Sequence, residues 1–175
     1  MSGAEPAAAD HASVLLALYD RALPQVYGYL VPRCESTSVA EDLTAETFLA
    51  AVGAVQRGTV DIVTTAWLVG IARHKLVDHW RREEREERKL QMVQQQGSVT
   101  EHDPWDAQLE VVRARAVLGE LGAHHRAALS LRYLDGLSVA EVADALGRTL
   151  HATEALLVRA RSAFRQTYEE GTDDA

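Results

Sequence analysis

The chain has 175 residues, of which 47% are hydrophobic and 25% charged, with four prolines and one cysteine. That composition suits a soluble protein of one domain or two small ones. It excludes an intrachain disulfide, because Cys34 stands alone, and no Cys/His cluster has zinc spacing, so neither a metal nor a cofactor is expected.

The apolar stretches fall well short of the roughly 20 residues that span a bilayer, and no basic-then-apolar leader is present, so a cytoplasmic protein without membrane insertion is expected. The formal net charge of -8 argues superficially against nucleic acid. Its distribution argues the other way. Basic residues concentrate in Arg73 to Lys89 and in Arg148 to Arg165, while the acidic excess lies in the first sixty residues, in Glu101 to Glu110 and in the tail with Glu169, Glu170, Asp173 and Asp174.

Met1 to Asp10 is small and polar and reads as a flexible start. Val14, Leu15, Leu18 and Tyr19 then open a helical apolar stripe that resumes after Pro24 with Val26, Tyr27 and Leu30, so the proline is expected to kink or restart the helix. Ser38 and Glu41 have capping-box spacing at the start of a second helix running through Val55. Gly58 and the run Thr59 to Thr65 break the pattern.

A long helix is expected from Ala66 to Leu90. Val69, Ala72, Leu76, Val77 and Trp80 gather on one side, and His74, Asp78, Arg81 and Arg85 line the other, flanked by Lys75 and Arg82. A solvated face held by Glu to Arg pairs within Arg81 to Lys89 would carry the same residues. Gln94 to Ser98 and the acidic run to Asp106, with Pro104 inside, read as a flexible linker.

Helical pattern returns at Leu109. Leu137 to Gly147 has helix-turn-helix spacing: Ser138 and Glu141 form a capping box, Val139, Val142 and Leu146 a buried stripe, Ala143 the close helix crossing and Gly147 the tight turn. The following helix would be buried through Leu150, Leu157, Ala160 and Phe164 and would present His151, Glu154, Val158, Arg161 and Arg165 outward, with Arg159 alongside. Arginines near its end suit phosphates, while His151 and Glu154, nearer its start, suit base edges. No strand pair with hairpin chemistry occurs, so the expected fold is all-α, with two small helical domains joined by a flexible acidic linker and a helix-turn-helix in the second.

Asp135 to Gly147 and Arg159-Ala-Arg161 resemble the fourth conserved region of the extracytoplasmic-function sigma factors of RNA polymerase. Leu18 to Arg21, Val26 to Leu30, Ala40 to Leu49 and Ala66 to Arg73 resemble the second region, in the same order and separation. The resemblance implies a start at 1–10, a region 2 domain at 11–92, a linker at 93–107, a region 4 domain at 108–168 and an acidic tail at 169–175. It implies docking on the β′ and β subunits of core polymerase, through Asp42, Leu43, Glu46 and Phe48 on the β′ coiled coil. It also implies contact with the minus-ten promoter element through His74, Lys75, Asp78, Arg81, Arg82 and Arg85, and with the minus-thirty-five element through Thr149, His151, Glu154, Arg159, Arg161 and Arg165.

The loop Arg57 to Thr65 would take an unstacked base of the melted strand, and Trp67 would anchor the core. Glu101, Asp103, Asp106 and Glu110 would supply the linker's charge in the polymerase channel. An anti-sigma partner is also implied. The chain departs from the usual pattern at Ala45, His74, Thr153, Glu154 and Leu156.

No catalytic set emerges: the seven histidines are scattered, and His74 with Asp78 belongs to the charged stripe. The alternatives are a stand-alone helix-turn-helix regulator, which would have no reason to carry Ala40 to Leu49 together with Ala66 to Arg73, and a pure protein-interaction adaptor.

Overall fold

The computed structural model describes residues 5–91 and 107–173, which form seven α-helices, α1 Glu5–Leu30, α2 Thr37–Gln56, α3 Thr65–Gln91, α4 Ala107–Glu120, α5 Ala123–Leu129, α6 Val139–Leu146 and α7 Leu150–Asp173, with no strand among the described residues. The expected all-α class holds. The chain divides into two compact units between Leu76 and Val77, so the second half of α3 belongs with α4 to α7. The expected linker at 93–107 lies outside the described residues except for Ala107, which opens α4.

In the first unit α1 and α2 pack together. Leu15, Leu18, Ala22, Val26 and Leu30 recur at three- and four-residue steps and are buried, as are Ala40, Leu43, Phe48, Ala51 and Val55 on α2. Each fully buried large aliphatic side chain contributes about 1.5–3 kcal/mol. Thr44 and Thr47 join this interior without an unpaired hydroxyl, each donating to the carbonyl four residues back, Ala40 and Leu43, at 2.7 Å.

Pro24 lies inside α1, which runs on through it, so of the two expected outcomes the restart does not occur, and the lost amide bond is tolerated within a helix whose buried stripe is continuous on both sides. One boundary differs from expectation. The cap of α2 is Ser36, whose hydroxyl accepts from the Val39 N–H at 3.3 Å, not Ser38. Starting α2 at Thr37 brings its first buried residue, Ala40, into the first turn.

α3 begins as the sequence predicts to within a residue, with Thr64 Oγ1 accepting from the Trp67 N–H at 3.2 Å. Leu68, Ala72, Leu76, Val77 and Trp80 are its buried residues, with Leu68 in place of the expected Val69. Trp67 is half-buried.

In the second unit Leu118, Leu121, Leu129 and Ala160 form one apolar cluster with Ala163 and Phe164, and Ala128, Leu156 and Leu157 another with Val139 and Leu146. The Ser138 capping box is complete: the Glu141 N–H donates to the serine hydroxyl at 3.3 Å, and the Ser138 N–H to the glutamate carboxylate at 2.7 Å. Gly147 ends α6 at φ 63°, the left-handed conformation the tight turn requires. Ala143 is buried at the crossing.

Candidate nucleic-acid and polymerase interface

Three helix faces carry the candidate residues. On α2, Asp42 is exposed and Glu46 is half-exposed one turn later, so the two carboxylates share a face. Lys75 Nζ lies 3.4 Å from Glu46 Oε2. Leu43 and Phe48 point the other way. They are buried, and Phe48 meets Tyr19 of α1 edge to face at 4.9 Å between centroids. In this chain they seat α2 on α1. Leu49 and Val52, 71% and 42% exposed, continue the Asp42–Glu46 face. Sequence reasoning missed them, although two apolar residues on the acidic stripe were a readable signal.

On α3, His74, Asp78, Arg82 and Arg85 are exposed, while Lys75 and Arg81 are half-buried, so the outer stripe forms as predicted. Its members are not equally available. Arg81 stands 3.9 Å from Asp78 and donates through Nη2 to the Ala145 carbonyl at 2.6 Å, and Arg85 Nε donates to the Arg81 carbonyl at 3.0 Å.

On α7, His151, Glu154, Val158, Arg159, Arg161 and Arg165 are all exposed, as the helix-turn-helix reading requires. His151 Nδ1 lies 4.0 Å from Glu154 Oε2, and Arg161 Nη1 donates to the Tyr133 hydroxyl at 3.2 Å. Thr149 is exposed and caps the helix, its hydroxyl oxygen accepting from the Ala152 N–H at 3.2 Å.

The buried stripe of α7 is rotated from the one expected. Thr153, Leu156, Leu157 and Ala160 are buried, whereas Leu150 is 51% exposed. Leu156 is therefore interior and not a basic contact replaced by leucine. Thr153 is accommodated because its hydroxyl donates to the Thr149 carbonyl at 3.0 Å.

An acidic edge of α3 was not anticipated. Glu84 accepts from Arg88 at 2.5 Å and from Arg148 in the turn between α6 and α7; Glu83 pairs with Arg126 at 3.2 Å; Glu87 accepts from the Ala123 N–H at 3.1 Å. Burial alone would raise Glu84, but the Arg148 and Arg88 guanidiniums outweigh it and hold the carboxyl below its ordinary range. Nearby, His124 and His125 lie ring to ring at 4.1 Å. Burial, with His124 and Arg159 adding to it, pushes His125 down to about 4.

Residues 18–86 match the family described as sigma-70 region 2, and residues 112–164 match sigma-70 region 4. The chain is 34% identical over 160 residues to the extracytoplasmic-function RNA polymerase sigma factor BldN of Streptomyces coelicolor, covering 89% of this chain and 61% of that protein. It is 31% identical to sigma factor SigC of Mycobacterium tuberculosis, covering 71% and 68%. Among solved structures, the sigma factor RpoE of Bartonella quintana, in complex with the anti-sigma factor NepR, shares the fold at a TM-score of 0.52 and 20% identity, covering 86% of this chain and 94% of that one. No helix among the described residues is long and apolar enough to cross a membrane. Sigma factors are initiation factors and not enzymes, and with both regions present in family order, this chain belongs to the extracytoplasmic-function sigma factors of RNA polymerase.

Proposed function

We propose that the chain docks on core RNA polymerase through the outer edge of α2 and reads promoters through α3 and α7. Asp42 and Glu46 offer paired carboxylates to a basic surface, the β′ coiled coil, and Leu49 and Val52 add an apolar flank that desolvates the charge pair. Leu43 and Phe48 hold that edge in place from inside.

The stripe His74, Lys75, Asp78, Arg81, Arg82 and Arg85 serves the minus-ten element, and Thr149, His151, Glu154, Arg159, Arg161 and Arg165 the minus-thirty-five element. The β subunit is a further polymerase contact, an anti-sigma protein holds the factor in reserve, and the site of action is the cytoplasm. The observation that carries this reading is that one chain presents exposed arginines both on the α3 stripe and on α7 after a complete helix-turn-helix. Minus-thirty-five binding rests on fewer phosphate contacts, because Glu154 faces outward where a cation would grip phosphate.

The test is co-elution of the purified chain with sigma-free core polymerase, followed by transcription from genomic fragments. Stable association with promoter-dependent transcripts is expected. Duplex binding without core association would instead support the stand-alone regulator.

A further inference from the structure

The outer face of α7 changes character along its length. His151, Glu154, Val158, Arg161 and Arg165 recur at three- and four-residue steps and are all exposed, so they form one stripe. The arginines of this stripe stand toward its far end, with Arg159 alongside, and the Tyr133 hydroxyl accepts from Arg161 Nη1 at 3.2 Å. The leading part carries a carboxylate and then an aliphatic side chain. The helical neighbours of Glu154 at three and four residues are Leu150, His151, Leu157 and Val158, so no lysine or arginine of α7 stands one turn from it. His151 Nδ1 lies 4.0 Å from Glu154 Oε2, beyond hydrogen-bond range, which leaves the carboxylate open to an outside donor.

The place of Glu154 in the helix decides what that donor is. The Thr149 hydroxyl caps α7, which begins at Leu150, so Glu154 sits in the second turn, the part of a recognition helix that meets base edges. A carboxylate there is repelled by every phosphate and weakens binding to any sequence unless a base donates to it. In the major groove only the N4 amino group of cytosine and the N6 amino group of adenine donate, because guanine and thymine present acceptors. Adenine also sets its N7 acceptor beside the amino group, facing the second carboxylate oxygen. Cytosine brings no such acceptor.

We propose that Glu154 is a specificity-determining residue of the helix-turn-helix, and that it selects a cytosine in the upstream promoter element by accepting from the N4 amino group. The inference rests on the promoter reading proposed above. Arg159, Arg161 and Arg165 supply grip that is the same on every sequence, and Glu154 subtracts from it wherever the base opposite cannot donate. Selectivity at this position therefore comes from loss at the wrong bases.

The test uses holoenzyme assembled from core polymerase and the full-length chain. It is mixed with a pool of DNA duplexes randomised across the promoter region, and heparin-resistant complexes are recovered and sequenced. The wild type is expected to enrich an upstream element with cytosine at one position. Glu154→Gln should change that base to adenine and leave the others, because glutamine pairs with both N6 and N7 of adenine. Glu154→Ala should leave the position undetermined. Both variants replace an exposed side chain, so their urea midpoints should match the wild type. On duplexes of the selected sequence, replacing the cytosine by adenine should weaken wild-type binding about tenfold and strengthen that of Glu154→Gln. Identical base preferences in all three proteins would overturn the proposal. Tighter binding by Glu154→Ala with an unchanged preference would overturn it as well, because the carboxylate would then only repel phosphate. In either case, promoter-dependent transcripts from the wild-type holoenzyme would leave the promoter reading standing; failure to bind core polymerase or to enrich any sequence removes both.

Discussion

Lys75 Nζ lies 3.4 Å from Glu46 Oε2, so a residue assigned to promoter contact is paired with one assigned to polymerase docking. Both side chains are partly exposed, and such a pair couples by about 0.2–1 kcal/mol. The lysine can therefore exchange the glutamate for a phosphate at little cost. Lys75→Ala is expected to leave thermal stability within about 1 kcal/mol of wild type. It should weaken open-complex formation by the holoenzyme, measured by permanganate footprinting. A large loss of stability with unaltered promoter opening would show the pair to be structural.

Asp42 is exposed on the outer edge of α2, and reversing its charge confronts a basic partner directly. Asp42→Arg is expected to weaken association with core polymerase about tenfold or more, a change of at least about 1.4 kcal/mol. Leu49→Asp tests the apolar flank and should act in the same direction while leaving the unfolding midpoint unchanged, because Leu49 is largely exposed. Phe48→Ala should instead lower stability by about 3–5 kcal/mol, as expected for an aromatic lost from a helix interface. Surface plasmon resonance on immobilised core, paired with urea unfolding, distinguishes the two kinds of effect.

Much of this was legible because certain local patterns admit one solution. Ser138 and Glu141 flank a short apolar helix that ends in Gly147, and the capping box and left-handed turn formed where that spacing put them. On α2 the cap fell at Ser36, two residues before the Ser38 that the capping-box spacing pointed to, and its hydroxyl accepts from the Val39 N–H. On α7, apolar residues at both Leu150 and Leu156 allowed two registers of the buried stripe, and packing against α5 and α6 selected the one through Thr153 and Leu156. Glu83, Glu84 and Glu87 were invisible for a different reason. Intrahelical partners at four-residue spacing satisfy the same charges, so nothing local betrays a carboxylate that reaches Arg126 or Arg148 instead.

Gly147 and Gly70 should respond oppositely to the same substitution. Gly147 has φ 63°, and an added Cβ would stand 3.3 Å from Arg81, so Gly147→Ala is expected to cost about 1–2 kcal/mol. Gly70 lies inside α3 with nothing within 4 Å of where an added methyl would stand, so Gly70→Ala should stabilise by about 0.5–1 kcal/mol. Urea midpoints of the two variants against wild type check both signs.

Arg161 is exposed on α7 and its guanidinium is steadied by the Tyr133 hydroxyl at 3.2 Å. Arg161→Ala is expected to weaken duplex binding by the holoenzyme at the upstream element and to reduce the magnitude of the slope of log affinity against log salt by about one, the signature of a lost phosphate contact. Tyr133→Phe should give a smaller loss, since it frees the guanidinium without removing it. Core association should be unchanged in both, which separates DNA contact from docking.

Acid should loosen the second unit before it reaches the carboxylate range. His125 is held down to about 4 by burial first, then by His124 beside it and by Arg159, whereas an unfolded chain protonates it near the ordinary value of 6.5. Between those values the unfolded state binds the proton and the folded state does not, so stability is fully present above about 6.5 and falls as the pH drops toward 4. His124 is also lowered, by burial first, against the pull of Glu84 and Glu87 and with Arg148 and Arg159 adding to the depression, and so acts in the same direction. Glu84, held below 4.5, loses its contribution only at lower pH, as its folded-state carboxyl protonates. Urea midpoints measured across this range should fall steadily on acidification in the wild type, and His125→Gln should flatten that fall while retaining a polar neighbour for His124. An equally steep fall in His125→Gln would assign the acid sensitivity to other groups.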